Sequence, residues 1–111
     1  MAYDERLAAR VRGILGDRPG LTEKKMFGGL AFLLGGNMAC GVSHDGESLL
    51  VRIPPDETDA ALAEPGVRLM EMRGRSMKGW LYVGPEGTGK AKDLRRWVER
   101  GVAYAGTLPP K

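Results

Sequence analysis

Apolar residues recur at helical spacing near the start of the chain, where Leu7, Val11, Ile14 and Leu15 share one face. Asp4 ahead of them offers an N-capping oxygen, and Glu5 sits in the first turn, where the helix dipole favours an acid. The spacing predicts a helix over residues 4–16, broken by Arg18-Pro19-Gly20. Over residues 22–53 the pattern changes to short apolar runs separated by Gly28-Gly29, Gly35-Gly36-Asn37 and His44-Asp45-Gly46, which predicts a meander of four antiparallel strands joined by hairpins. Pro54-Pro55 ends the last of these. Residues 56–63 predict a short helix, with Pro55 or Asp56 at its start and Pro65-Gly66 past its end. Residues 67–72 and 77–83 predict a second strand pair, joined by the basic turn Arg73-Gly74-Arg75. A final helix is predicted over residues 91–105. Leu94, Trp97, Val98, Gly101, Val102 and Ala105 form its apolar face, and Lys92, Arg95, Arg96 and Arg100 fall on the opposite arc, with Glu99 among them.

The order helix, four strands, helix, two strands, helix predicts an α+β fold: a two-layer sandwich with helices packed on an antiparallel sheet. At 111 residues, with no repeat, low-complexity tract or linker, the chain reads as one domain over residues 1–111, large enough to bury its own core. Hydrophobic residues at 42% and charged residues at 28% are ordinary, whereas 17 glycines exceed the usual ~7% and imply many tight turns. The single cysteine, Cys40, excludes an internal disulfide and suits a reducing compartment. No charged-then-apolar leader opens the chain, and no apolar run approaches the ~18 residues of a membrane helix. The expectation is a cytoplasmic protein without a membrane partner.

Charge is unevenly distributed. Residues 1–67 hold 7 basic and 10 acidic residues, a net −3, whereas residues 68–111 hold 10 basic and 4 acidic, a net +6. The cationic end raises the question of nucleic acid or an acidic partner. Lys92, Arg95, Arg96 and Arg100, joined by Arg73, Arg75 and Lys78, could neutralise several phosphates. The competing reading is a solvated helix face, balanced by Asp93 and Glu99, and no aromatic interleaves the arc to stack bases.

Three patterns imitate known chemistry without completing it. Gly84-Pro85-Glu86-Gly87-Thr88-Gly89-Lys90-Ala91 resembles a phosphate-binding loop between strand and helix. Ala91 stands where the Mg²⁺-holding Ser or Thr belongs, Glu86 places a carboxylate where amides should cradle phosphate, and no parallel sheet is predicted. The segment therefore reads as a glycine-rich turn capping the last helix. Ser43-His44-Asp45 holds the residue types of a hydrolase triad, but neighbouring side chains in a strand diverge, and a triad is assembled across space. Cys40 and His44 are too few ligands for zinc, so no metal and no cofactor are expected, and Cys40 reads as a small core hydrophobe.

Two segments pair a basic residue and a methionine with glycine and then run into an apolar strand. They are Lys24-Lys25-Met26-Phe27-Gly28-Gly29-Leu30-Ala31-Phe32 and Gly74-Arg75-Ser76-Met77-Lys78-Gly79-Trp80-Leu81-Tyr82-Val83. Together they resemble the N-terminal domain of the TfoX (Sxy) competence-regulator family, from about residue 3 to residue 110. The resemblance implies a two-layer fold similar to the secretion-chaperone architecture, and regulation of competence genes alongside an activator of the cyclic-AMP receptor type. The family domain is often followed by a helical one, which is not read in this sequence, so the expectation is a stand-alone, single-domain member. It transfers no catalytic residue. Its signature positions here are Met26, Phe27, Gly28, Gly29, Gly74, Met77, Lys78, Gly79 and Trp80.

For Met26 and Phe27 the first reading is core filling beside a turn, the second a partner surface shared with Lys24 and Lys25. Met77 and Trp80 read first as core or dimer-interface residues, and second as the lining of a groove that Gly79 lets a ligand approach. The expected function is a non-enzymatic regulatory binding module, acting in transcriptional regulation through contacts with a regulatory protein partner. The candidate surface is Lys24, Lys25, Arg73, Arg75, Lys78, Lys92, Arg95, Arg96 and Arg100. Two alternatives stay open: non-specific DNA backbone binding through the basic C-terminal helix, and a small-ligand protein or enzyme with a pocket near Trp80. Self-association of the sheet into a homodimer also stays open.

Overall fold

Asp4 caps the first helix, α1 (Glu5–Leu15): its Oδ1 accepts from the backbone N–H of Arg6 at 2.8 Å and of Leu7 at 3.4 Å. The computed structural model describes residues 4–26, 28–43, 48–72 and 74–110. Phe27, His44, Asp45, Gly46 and Arg73, each given a reading above, lie outside the described residues. The meander follows as β1 (Leu21–Met26), β2 (Gly29–Leu34), β3 (Asn37–Val42) and β4 (Leu49–Arg52). A 3₁₀ turn (Pro55–Glu57) leads into α2 (Thr58–Leu62), then come β5 (Val67–Met72) and β6 (Arg75–Val83). The chain closes with α3 (Pro85–Thr88) and α4 (Ala91–Ala105). No helix among the described residues is long and apolar enough to cross a membrane.

The six strands among the described residues join one antiparallel sheet in the order β1-β2-β3-β4-β6-β5. The second strand pair is therefore not a separate hairpin, because β6 pairs directly with β4. The chain leaves β4, crosses β6 by way of the 3₁₀ turn and α2, and lays β5 at the edge. Thr58 holds that crossover down: its hydroxyl donates to the Pro55 carbonyl at 2.7 Å and accepts from the Gly79 N–H at 2.9 Å.

The register sorts side chains into two sets. Phe32, Cys40, Val51, Leu81 and Leu69 lie opposite one another across β2, β3, β4, β6 and β5. Together with Leu7, Val11 and Leu15 of α1 and Leu94, Trp97 and Val98 of α4, they form the core. Trp97 and Phe32 are its largest fully buried side chains. Each fully buried large apolar side chain contributes about 1.5–3 kcal/mol, so α1 and α4 are held to this face mainly by burial.

Three expectations need correction. Gly84 to Lys90 is not simply a turn, because residues 85–88 form the short helix α3, for which the fixed φ of Pro85 at the first position is suited. Lys90 is the N-cap of α4 and makes no side-chain capping bond. Strand β6 starts at Arg75, which pairs with Met72, so Arg75 belongs to the strand and not to the basic turn. The helix expected over residues 56–63 divides into the 3₁₀ turn and α2.

Candidate binding groove on the open sheet face

Strand alternation sends every second residue to the face that the helices leave bare. One row crosses all six strands there: Lys24, Ala31, Gly41, Leu50, Tyr82 and Arg68, each the register partner of the next. The small residues Ala31 and Gly41 lower the middle of the row, and bulkier side chains rise around them. A Cβ on Gly41 would lie 2.9 Å from the Met38 methyl and 2.6 Å from the Leu30 carbonyl oxygen, so any larger residue would lift the groove floor. The result is a groove of about 420 Å³.

Met26, Leu33 and Met38 line its β1-to-β3 side, and Met70, Met77, Trp80 and Tyr82 its β6-to-β5 side, with Leu50 between them. Most of these side chains are half-buried, and Met70 is buried. Apolar groups of this kind, several of them flexible methionines, form an adaptable surface. The two segments that resemble one another in sequence thus meet on one face: Met26 comes from the first, Met77 and Trp80 from the second. Met26 and Trp80 are not core residues, because both point away from the helices.

Gly79 shows why a signature position beside the groove is glycine. Its φ is +86°, and a Cβ there would stand 2.8 Å from the Ile53 carbonyl oxygen. The Gly79 carbonyl in turn accepts from the Ile53 N–H at 2.8 Å, which locks β6 beside the end of β4 and aims Trp80 into the groove. Gly28 and Gly74 also hold positive φ, at +78° and +77°, and so act through the backbone.

Lys24 and Arg52 are the charged groups among the described residues that line the groove. Arg52 is half-buried between two rings, its guanidinium carbon 4.8 Å from the Trp80 centroid and 5.4 Å from that of Tyr104 on α4. No carboxylate among the described residues pairs with it. Arg68 stacks on Tyr82 at 4.9 Å.

The predicted surface residues do not form one site. Lys24 faces the groove, while Lys25 points to the other side of the same strand; both are exposed. Arg75 and Lys78 are exposed on β6. On α4, Lys92 and Arg95 are exposed, but Arg96 binds Glu64 at 2.6 Å, and Arg100 binds Glu57 at 3.2 Å and Glu64 at 3.3 Å. Both guanidiniums also lie over Trp97, at 5.0 and 4.7 Å. Glu99 turns to Arg18 at 2.8 Å, whose hydrogen bond holds the Glu99 carboxyl below its usual range.

In the loop that imitates a phosphate cradle, glycine N–H groups are already engaged. The N–H groups of Gly87 and Gly89 donate to the carbonyls of Gly84 and Pro85, both at 2.9 Å. From α1, Arg10 donates to the carbonyls of Thr88 and Gly89 at 2.8 and 3.3 Å. Cys40 is fully buried on the helix side, and burial pushes its thiol up to about 12.

Arg52, Met38, Leu50, Met70 and Tyr82 are groove residues that no motif in the sequence singles out. For Leu50 and Tyr82 a signal existed: Leu49-Leu50-Val51 and Trp80-Leu81-Tyr82-Val83 are apolar at consecutive positions, as in strands covered on both faces.

The family model of the TfoX N-terminal domain matches residues 14–105. No curated protein and no solved structure matches the chain.

Proposed function

The chain belongs to the TfoX N-terminal domain family, and from that premise we propose that it is a non-enzymatic, cytoplasmic regulatory module that acts in transcriptional regulation by docking a protein partner in the open groove. One observation carries this reading. The sheet face without helices is lined by Met26, Leu33, Met38, Leu50, Met77 and Trp80, where a sheet meant to meet only water would carry polar side chains. A partner segment laid there would bury what the helices leave bare, in the way that α1 and α4 bury the other face.

The enzyme and small-ligand alternative finds less support. The groove is an open trough, and Cys40, the one cysteine, lies across the sheet from it. DNA binding through α4 is weakened by the engagement of Arg96 and Arg100 with Glu64 and Glu57.

The test is genetic complementation read by transcript profiling. Deletion is expected to change a defined set of transcripts, which wild type and Arg95→Glu restore and Leu50→Asp does not. Leu50 is half-buried on the open face, so its carboxylate variant leaves the core intact, which circular dichroism verifies. Unchanged transcripts after deletion, or full rescue by Leu50→Asp, would remove the reading.

A further inference from the structure

We infer that the groove selects an amphipathic helical segment of a partner protein that carries a carboxylate side chain, and that Arg52 is the residue that receives it. The inference rests on the reading of the groove as a protein-docking site and adds the chemistry of the occupant.

Length argues for a peptide. Groove residues come from every strand between β1 and β5, and six strands at about 4.8 Å spacing set the outer strands about 24 Å apart, the length of about 16 helical residues. Methionine and leucine walls suit the apolar stripe of such a helix.

Charge argues for an acid. Lys24 and Arg52 are both cationic, and no carboxylate is among the described residues of the lining. The Arg52 guanidinium carbon lies over the rings of Trp80 and Tyr104, at 4.8 and 5.4 Å. A ring offers no oxygen acceptor, so the guanidinium keeps its hydrogen-bonding capacity for a partner. A guanidinium held by two rings, with no carboxylate partner among the described residues, is suited to receive a bidentate carboxylate. The same charges argue against a second copy of this chain. A two-fold contact would bring the patch against itself, so the cations Lys24 and Arg52 would meet a lining that offers no carboxylate among its described residues.

The experiment selects peptides from a displayed library of random 16-residue sequences on the folded protein. Trp80 fluorescence serves as the site reporter, since Trp97 is fully buried. The enriched peptides are expected to repeat apolar residues at helical spacing, to carry an Asp or Glu at a constant offset, and to lose binding to Leu50→Asp. Changing that acid to Lys should weaken binding by roughly tenfold to a hundredfold, the range of a charge-assisted hydrogen bond, and Arg52→Glu should restore it. Arg52→Lys, which keeps the charge and loses the fork, should fall between. Peptides that need Leu50 but are indifferent to the acid and to Arg52 would overturn the inference and leave the docking reading standing. Absence of any Leu50-dependent peptide would overturn both. Self-association of the free protein that Leu50→Asp abolishes would make the occupant a second copy and overturn the inference.

Discussion

Gly101 of α4 lies directly against the carbonyl group of Ala39 in β3, so close that a Cβ on Gly101 would collide with the carbonyl oxygen and sit 3.0 Å from the carbonyl carbon and 3.5 Å from a Val51 methyl. This contact sets how deeply α4 seats on the sheet. Gly13 in α1 is the opposite case, because a Cβ there would meet nothing within 4 Å. The same substitution should therefore have opposite signs. Gly13→Ala gains helix propensity and is expected to stabilise by about 0.5–1 kcal/mol. Gly101→Ala gains the same propensity but must lift the helix off β3, and overpacking of about 1–3 kcal/mol or more outweighs it. Urea unfolding of the two variants checks the pair. A Gly101→Ala protein as stable as wild type would mean that the helix is not seated on the Ala39 carbonyl.

Cys40 lies in the core row between Phe32 and Val51, fully buried, with its thiol raised to about 12 by burial. Only the thiolate reacts, and at pH 8 about one molecule in ten thousand would carry it. Labelling of the folded protein by a thiol reagent at pH 8 is expected to follow global unfolding, rising with urea in step with the loss of helical signal. Fast labelling without urea would show that β3 opens locally.

Arg18 and Glu99 join the turn after α1 to α4 at 2.8 Å, with side-chain exposures of 30% and 42%. The hydrogen bond from Arg18 lowers the Glu99 pKa, and burial opposes it. Glu23 is lowered in the same way by Arg12. A carboxylate whose folded pKa is depressed contributes stability that is present above its unfolded pKa and lost as pH falls through the folded value. The pair is half in solvent, so its contribution at pH 7 should stay below about 1 kcal/mol. Glu99→Gln is expected to lower the urea midpoint slightly at pH 7 and to converge with wild type in acid, below the carboxylate range. A constant offset between the two proteins across pH would assign the effect to packing and not to charge.

The helices and strands were legible because their signals are local. Asp4 before an apolar 3.6 period, and Leu94, Trp97, Val98 and Gly101 at helical spacing, place α1 and α4 without reference to anything distant. The groove was not legible, because it depends on register. Nothing local says that Lys24 shares a row with Leu50 and Tyr82, or that β6 inserts between β4 and β5. Trp80 could be assigned to core or groove only once the opposite face of β6, Leu81 and Val83, was seen beneath the helices. Ion pairing was equally hidden: spacing puts Arg96 and Arg100 on one arc, but their acceptors Glu57 and Glu64 lie in and just after the crossover.

That pairing gives a quantitative expectation for DNA. With Arg96 and Arg100 held by Glu64 and Glu57, Lys92 and Arg95 are the cations of the arc left for phosphate, and two contacts give a log–log salt slope of about −2. Anisotropy with random duplex DNA is expected to show weak binding at low salt that disappears near physiological ionic strength. Arg95→Glu should abolish it. Arg96→Glu should do so less and also cost stability, because it sets a second carboxylate against Glu64 in place of a 2.6 Å ion pair. A slope of about −3.6, that of all four cations of the arc, would mean that Arg96 and Arg100 leave their glutamates for phosphate. In that case α4 would be the working surface, and the groove would have to be reread as the bare side of a DNA-binding domain.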